Sequence, residues 1–315
     1  MSVIRGTQSN KKRVEIRKKT LWRSIWKERF TYLIIAPAFL SYLIFFFYPI
    51  GFAFVTSFTR FDAFQIQALP NIFDNYHRAI VRDPLAKTSL LNVFKYVVIT
   101  LGVGQSCALI LALALNSLKR GTAFYRTVYY FPMITSVVTI ATIFRWLFGS
   151  DPSAPINTIL RLLFDMEPIR WLWESKLVIP IIAVIAIWCG LGFNTIIWMA
   201  GLKAIPPEYY EVARIDGASN WRQFWSITLP LLKPVMLFQV VMGFIGGMKE
   251  FGLPFVLTQG GPAGASTTPV LLVYQYGFQN LQMGYASALA FLLAFLLIIA
   301  SLVQFRIYGK SEAYD

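Results

Sequence analysis

The chain is short of charge, histidine and cysteine. Only 14% of its 315 residues are charged, whereas roughly a quarter of a typical soluble domain is charged. The single histidine, His77, excludes a metal site built from a histidine cluster. The two cysteines, Cys107 and Cys189, offer neither a disulfide framework nor a metal-ligand spacing. Composition therefore disfavours both a soluble metalloprotein and a disulfide-stabilised secreted domain.

Recognisable catalytic motifs are also missing. The sequence contains no Gly-x-x-x-x-Gly-Lys-Ser/Thr loop, so the chain cannot hold the phosphates of ATP itself. It has no paired carboxylates, histidine cluster or nucleophile elbow that would support a membrane-bound enzyme. We therefore predict a non-catalytic subunit without a cofactor of its own. If the system uses ATP and Mg, a partner ATPase must bind them.

Long uncharged runs are what the sequence has instead. None of the 30 residues between Arg29 and Arg60 is charged, and about 20 apolar residues suffice to cross a bilayer as a helix. Six uncharged runs predict an all-α, polytopic membrane protein with six transmembrane helices. We expect these helices at Tyr32–Ser57, Val93–Leu118, Val128–Phe148, Leu177–Leu202, Pro234–Leu253 and Tyr285–Ile307.

Basic side chains set the expected orientation. The first 29 residues hold 10 of the 29 lysines and arginines but only two acids, and basic loops stay on the cytoplasmic side. With both termini in the cytoplasm, 19 of the 29 basic residues are cytoplasmic. The net charge of +14 therefore indicates the lipid bilayer, not nucleic acid, as the partner of the basic segment.

Three regions follow from this pattern. Residues 1–31 are predicted to be a basic cytoplasmic tail with a helix lying on anionic lipid. Residues 32–90 comprise the first transmembrane helix and an external loop. Residues 91–310 form the core, with five transmembrane helices and a cytoplasmic loop at residues 203–233.

The first half of the 203–233 loop has the pattern of a short helix. Pro207 suits the first turn of a helix, and acidic Glu208 and Glu211 in that turn are favourable against the helix dipole. Gly217 then provides a flexible break. We therefore predict a helix that ends at this glycine.

The second half predicts another short helix. Asn220 and Gln223 resemble a capping box at its start, and Pro230 is expected to end it. Trp221 and Trp225 give the helix an apolar stripe. Two alternatives follow: the hairpin folds against the membrane surface by itself, or it docks onto a partner protein.

The spacing of residues in this loop favours docking. Glu-x-Ala, three residues, Gly, nine residues and Ile-x-Leu-Pro resemble the cytoplasmic signature of permease subunits of binding-protein-dependent ABC importers. In that family, which has the type I permease fold, this loop docks into a cleft on the ATPase. The resemblance therefore implies that the loop couples the chain to an ATPase. The matching positions are Glu211, Ala213, Gly217, Ile227, Leu229 and Pro230.

The resemblance covers roughly residues 90–310 and extends to the carbohydrate-importing branch of the family. Leu257–Pro262 (LTQGGP) and Ile187–Pro206 look like that branch, which includes the larger permease of the maltose importer. It implies a subunit forming half of the translocation pathway of an oligosaccharide importer in a bacterial or archaeal plasma (inner) membrane. The implied partners are a second homologous permease, two ATP-binding subunits and an extracytoplasmic sugar-binding protein.

The fifth predicted span carries a candidate substrate-binding face. Gly243, Gly246, Gly247 and Glu250 are spaced as one face of a helix, and a carboxylate within a span is a site candidate. Alternatively, the glycines only pack against another helix, with Glu250 paired to Lys249. By resemblance, these four positions align with sugar-contacting positions of the maltose permease. The same alignment adds Ala186, Cys189, Gly190 and Phe193 in the fourth span.

Two further alternatives remain open. Residues 253–284 are uncharged and rich in Gly, Thr and Gln, and they either fold over the external mouth or re-enter the protein. A stand-alone secondary transporter or channel is the competing function. Such proteins usually hold several ionisable groups at mid-membrane, whereas only Arg145 and the Lys249–Glu250 pair approach that depth here.

Overall fold

The computed structural model of the chain describes residues 28–62, 64–118 and 122–308. Two compact units divide at Val55 and Thr56, within the region 32–90 that the sequence groups together. Helix α1 (Arg29–Thr56) forms the described part of the first unit and contributes its last residue to the second. Its 28 residues extend about 42 Å, which exceeds the thickness of a bilayer core. The lipid-bound helix predicted in residues 1–31 falls largely outside the described residues.

The second unit is built from helices and one small hairpin. Strands β1 (Thr59–Asp62) and β2 (Gln65–Ala68) pair antiparallel, with Thr59 opposite Ala68. In chain order, the helices are α2 (Asp74–His77), α3 (Pro84–Ser117), α4 (Thr122–Ile134), α5 (Val137–Leu147), α6 (Pro155–Phe164), α7 (Val178–Ala204), α8 (Glu208–Ile215), α9 (Asn220–Gln223), α10 (Lys233–Met248), α11 (Gly252–Thr258), α12 (Pro269–Tyr274) and α13 (Met283–Tyr308). Wider π-type turns occur at Leu43–Phe47, Arg78–Arg82, Thr100–Gly104, Phe224–Thr228 and Gln275–Gln279.

The predicted all-α polytopic fold class is confirmed. Five helical segments among the described residues are long and apolar enough to cross a membrane, and there are six if α4 and α5 form one bent span. The five are α1, α3, α7, the α10–α11 segment and α13. The β1–β2 hairpin is a small addition that the sequence pattern did not predict.

The second span begins nine residues earlier than predicted, at Pro84 instead of Val93. Asp83 explains the early start, because its carboxylate Oδ1 accepts hydrogen bonds from the backbone N–H groups of Leu85 (2.8 Å) and Ala86 (3.4 Å). An aspartate cap followed by proline is a strong start signal for a helix.

The third span is not the continuous helix predicted at Val128–Phe148. Helices α4 and α5 meet at an angle of 100°. Pro132 lies in the last turn of α4, and the hydroxyl of Thr135 donates to the carbonyl of Phe131 over 3.2 Å. The proline weakens the helical hydrogen-bond ladder, and the threonine satisfies a carbonyl left without a partner at the end of the helix, so the chain can turn at this point.

Two buried clusters pack the helices of the bundle. The first joins the beginnings of α3 and α7 to the end of α10, around Val97, Ile182 and Met248. The second joins the far ends of α3 and α7 to the start of α10, around Trp198 and Leu232. The loop 203–233 leaves the bundle beside the second cluster, and we call this the hairpin end.

The segment between α10 and α13 folds back into the protein at the opposite end. Ser266, Thr267 and Thr268 are all buried. Asn92 of α3 donates from Nδ2 to the backbone carbonyls of Gly264 (2.9 Å) and Thr267 (3.0 Å). Of the two alternatives for residues 253–284, the structure therefore shows a segment packed against the second span, with protein groups satisfying its backbone.

Candidate functional site

Helix α8 forms the first half of the 203–233 hairpin, and Glu208 and Glu211 lie in its first turn. The turn that follows contains Gly217, whose φ of +74° lies in the left-handed region that favours glycine. The N–H of Ala218 then donates to the carbonyl of Ala213 over 2.9 Å. This bond satisfies one of the last carbonyls of the helix. Ala213 and Gly217, two positions of the motif, therefore form the turn together.

The start of α9 lies one residue earlier than predicted. Its cap is Ser219, whose hydroxyl accepts from the N–H of Arg222 over 3.3 Å, and not Asn220. Gln223 does not close a capping box. It is buried, and its amide donates to the carbonyl of Ala218 over 2.8 Å, which ties α9 to the turn after α8.

The prediction that Pro230 ends the second helix is wrong. After α9, the chain continues through the π-type turn Phe224–Thr228 and a short helical turn, Leu229–Leu231. Pro230 lies in the first turn of that last piece, where a missing N–H breaks no helical hydrogen bond. The hairpin therefore runs almost without interruption into α10.

The side of the hairpin nearest the bundle is firmly anchored. Tyr210 of α8 and Thr228 share a hydrogen bond of 2.9 Å between their hydroxyls. Leu232 is fully buried, and Tyr210 packs on the same cluster. The motif residues Ala213, Ile227, Leu229 and Pro230 are half-buried on this anchored side.

The other side of the hairpin is exposed and largely apolar. Glu211 is exposed, and a Cβ added to Gly217 would meet nothing within 4 Å. The apolar part consists of Val212 (58% exposed), Ile215 (86%), Trp221 (70%) and Trp225 (51%). Several large apolar side chains exposed on one hairpin indicate an interaction surface. The coupling role of these residues stays a prediction.

A cavity of about 180 Å³ lies between the two core clusters. It combines glycines with polar side chains from α3 and α7, and among the described residues no lysine, arginine or carboxylate lines it. Its walls include Tyr96, Thr100, Gln105, Ala186, Asn194, Gly243, Gly246 and Gly247. The structure therefore brings four of the predicted substrate-binding residues to one cavity, Ala186 and the three glycines.

The three glycines of α10 play different parts. A Cβ on Gly243 would lie 2.6 Å from Leu101 Cδ2, and one on Gly247 would lie 2.8 Å from Val97 Cγ2. Both glycines therefore allow α10 and α3 to pack closely. A Cβ on Gly246 would meet nothing within 4 Å, so this position opens into the cavity. The packing alternative therefore holds for Gly243 and Gly247, and contact of the substrate with any of the three glycines stays a prediction.

Glu250 does not lie on the glycine face of a continuous helix, as the spacing predicted. Helix α10 ends at Met248, and Glu250 occupies the break before α11. Its Oε1 accepts from the N–H of Leu253 over 3.0 Å, and its Oε2 accepts from the hydroxyl of Tyr96 over 3.2 Å. In the described part of the chain, it forms no ion pair with Lys249. Glu250 therefore caps α11 and reaches the cavity through Tyr96.

The remaining predicted residues lie on α7. Cys189 packs against the first core cluster, and Gly190 sits beside Asn194, whose Nδ2 would be 3.4 Å from an added Cβ. Phe193 is 43% exposed. These three residues do not line the cavity, and their contact with substrate stays a prediction.

Helix α3 also contributes to the cavity, which the sequence pattern did not predict. Tyr96, Thr100 and Gln105 line it, and Gln105 is held by the indole N–H of Trp198 over 3.0 Å. The run Thr100–Gly104 forms a π-type turn at this point, and such turns often mark functional sites. Two glycines and a glutamine interrupting an apolar span were the available signal.

Apolar helices around a small polar cavity, with an anchored helical hairpin at one end, define a multi-pass membrane protein. The chain belongs to the family of binding-protein-dependent transport system inner membrane components, whose model matches residues 104–310.

Relatives and solved structures agree with this assignment. The arabinooligosaccharides transport system permease protein AraP of Bacillus subtilis is 33% identical over 297 residues, covering 93% of each chain. The sn-glycerol-3-phosphate transport system permease protein UgpA of Brucella suis is 33% identical, over 90% of this chain and 96% of its own. A chain of a bacterial alginate ABC transporter, solved with an alginate pentasaccharide-bound periplasmic protein, shares the fold. The TM-score is 0.77 at 22% identity, over 91% of this chain and 96% of that one.

Proposed function

We propose that this chain is the permease subunit forming half of the translocation pathway of an ATP-driven carbohydrate importer. The observation that carries the proposal is the 203–233 hairpin, which presents Glu211 and Gly217 beside an apolar face. The residue spacing of that hairpin is the one that the importer family uses to dock its ATPase. ATP and Mg then belong to the partner ATPase, and this chain has no catalytic role.

The anchoring of the hairpin supplies a mechanism for coupling. Tyr210 and Thr228 tie the first helix to the second, and Leu232 joins the second directly to α10. A displacement of the hairpin by the ATPase therefore moves α10, whose glycines line the cavity. In this way, closure of the ATP-binding subunits can switch the pathway between inward-open and outward-open states.

The proposed assembly contains two ATP-binding subunits, a second homologous permease and an extracytoplasmic binding protein. The cavity of about 180 Å³ is smaller than a typical ligand site of roughly 300–1,000 Å³, as expected if a second permease supplies the other half. Both termini lie in the cytoplasm, because 10 of the first 29 residues are basic. The hairpin end of the bundle is then cytoplasmic.

The lining of the cavity favours a carbohydrate as substrate. Tyr96, Thr100, Gln105 and Asn194 offer hydroxyl and amide groups, which both donate and accept hydrogen bonds as sugar hydroxyls require. Recognition of a phosphate usually employs arginine or lysine, and neither lines this cavity. An oligosaccharide, the class named for AraP, therefore suits the cavity better than a glycerol phosphate.

The test is a charge reversal in the hairpin with a matched control in the same helix. The chain is co-expressed with the permease, ATPase and binding-protein genes adjacent to its own and reconstituted in nanodiscs. ATPase activity is then measured with arabinotriose, maltotriose and an alginate trisaccharide. We expect Glu211→Arg to lower sugar-stimulated activity at least tenfold. Glu208→Arg, one turn earlier and equally exposed, should stay within twofold of wild type.

Two results would contradict the proposal. Equal activities of the Glu211→Arg and Glu208→Arg complexes would remove the docking role from Glu211. A wild-type chain that transports sugar without a copurifying ATPase would make it a stand-alone secondary transporter instead.

A further inference from the structure

A second, larger cavity lies at the end of the bundle opposite the hairpin. Its volume is about 400 Å³, and it is bounded by the end of α5, the loop after it, the stretch before α7 and the end of α11. Its polar and aromatic lining comprises Arg145, Ser150, Asp151, Trp173, Thr258 and Gln259. None of these residues was predicted from the sequence to bind a ligand.

The wall of this cavity is built rigidly by a neighbouring residue. Asn157 is buried, and its Nδ2 donates to the carbonyls of Gly149 (3.1 Å) and Asp151 (3.2 Å). Its Oδ1 accepts from the indole N–H of Trp171 over 2.8 Å. These bonds fix the loop after α5 relative to the stretch that carries Trp173. The backbone on two sides of the cavity is therefore held in place by Asn157.

Three of the polar side chains that face the cavity have no partner within the described part of the chain, whereas the hydroxyl of Thr258 bonds to Pro254 and Ser266. The guanidinium of Arg145, the carboxylate of Asp151 and the amide of Gln259 form no hydrogen bond or ion pair there. Trp173 is 68% exposed and its ring stacks on no other ring among the described residues. Polar groups gathered around a cavity without partners are available to bind a ligand.

The chemistry of these groups points to one ligand class. An indole ring presents a flat apolar face with a donor at its edge, which suits the C–H face of a sugar ring. The guanidinium donates only, the carboxylate accepts only, and the amide of Gln259 does both, so hydroxyl groups can be satisfied from several sides. The positive charge of Arg145 and the negative charge of Asp151 cancel, which favours an uncharged ligand.

We call this cavity the outer cavity and the cavity of about 180 Å³ the inner cavity. Helix α11 lies between the two. Helix α11 connects Gln259, at the outer cavity, to Glu250, which contacts the cavity-lining Tyr96. Its seven residues span about 10 Å. We propose that the outer cavity is a binding site for an uncharged oligosaccharide, occupied before the sugar reaches the inner cavity. This inference rests on the proposed importer function.

The experiment compares two tryptophans of similar exposure. Trp173 lines the cavity, whereas Trp146, 67% exposed, does not. The full chain in nanodiscs, without binding protein, is titrated with arabinotriose, maltotriose and an alginate trisaccharide by saturation-transfer NMR. ATPase activity of the complete complex is measured in parallel. We expect Trp173→Ala and Arg145→Gln to weaken binding of an uncharged sugar at least tenfold. Trp146→Ala should stay within twofold of wild type, both in sugar binding and in basal ATPase activity.

The possible outcomes separate this inference from the importer function. Sugar-stimulated ATPase activity with equal binding by the Trp173→Ala and Trp146→Ala variants would overturn the outer site and leave the importer. Binding lost only in Trp173→Ala and Arg145→Gln, without ATPase stimulation in wild type, would support the site and overturn the importer. Binding of the acidic trisaccharide alone would overturn the assigned ligand class. Neither binding nor stimulation would overturn both.

Discussion

The 203–233 hairpin and the 252–284 segment lie at opposite ends of the bundle and are built in opposite ways. The hairpin leaves Ile215 86% and Trp221 70% exposed and is held mainly at its base. The 252–284 segment buries Ser266 and Thr268, and Asn92 of α3 donates to two of its backbone carbonyls. The hairpin is therefore mostly exposed away from its base, whereas much of the segment is packed within the chain. Substitutions should therefore impair coupling in the hairpin and stability in the segment.

The largest effect is expected where the segment is held by α3. Asn92→Ala leaves the buried carbonyls of Gly264 and Thr267 without their donor, and each should lower the free energy of unfolding by about 1–3 kcal/mol. Thermal unfolding in detergent would measure the loss. The neighbouring Leu91→Ala, at a residue 61% exposed, serves as the control. If both variants unfolded at the same temperature, the segment would not depend on this anchor.

The next effect is a pH dependence at the same end. Asp83 accepts hydrogen bonds from the hydroxyls of Tyr276 and Tyr285, both at 2.8 Å. Burial raises the pKa of its carboxyl, but these bonds and those from Leu85 and Ala86 together bring it below the ordinary value of 3.8. The stabilisation is therefore complete above that value and is lost as the pH falls through the lowered pKa.

Asp83→Asn should accordingly destabilise the protein at pH 7 by about 1.5–3 kcal/mol, because hydrogen bonds to a charged acceptor are lost. The difference from wild type should shrink as the pH falls below about 4. Melting temperatures of the two proteins between pH 3 and pH 7 would check this. A difference that stayed constant over that range would show that the charge of Asp83 is unimportant.

The smallest effect on stability is expected in the hairpin, where a substitution should impair coupling instead. Gly217→Val places a β-branched residue at φ +74°, where an L-residue is disfavoured by about 1–2 kcal/mol. Loss of the turn should lower sugar-stimulated ATPase activity roughly tenfold and leave the melting temperature of the chain nearly unchanged. Gly217→Asn, which tolerates the left-handed region, should retain most activity. Equal activity of the two variants would show that the turn geometry does not matter for coupling.

Much of the hairpin was predictable because its signals are local. The start of α8 and the turn at Gly217 depend on residues within a few positions of each other. The position of the cap and the effect of Pro230 were predicted wrongly. At the first place, Gln223 bonds to the carbonyl of Ala218, five residues before it, instead of closing a capping box. At the second place, a tertiary contact decided the outcome, because Leu232 enters the core.

The candidate site was less accessible to sequence reasoning. Helical spacing correctly grouped Gly243, Gly246 and Gly247, which share a cavity. The same spacing placed Glu250 with them, although the helix ends at Met248. The break is stabilised by Thr268, whose hydroxyl donates to the carbonyl of Glu250 over 2.7 Å. That contact comes from a residue 18 positions away and leaves no local signal.

The sequence by itself determined the class of the protein, because crossing a membrane requires long apolar helices whose length and composition are read directly from the chain. It also determined the turn of the hairpin, because the left-handed backbone conformation needed there favours glycine, and Gly217 stands at that position. Only the tertiary structure decided which glycines pack and which one opens into the cavity. Gly246 and Gly247 are neighbouring glycines in the same helix. A side chain at Gly247 would meet Val97 of α3, whereas one at Gly246 would meet nothing within 4 Å. Whether a space is filled depends on side chains brought there by the fold, which the local sequence does not encode.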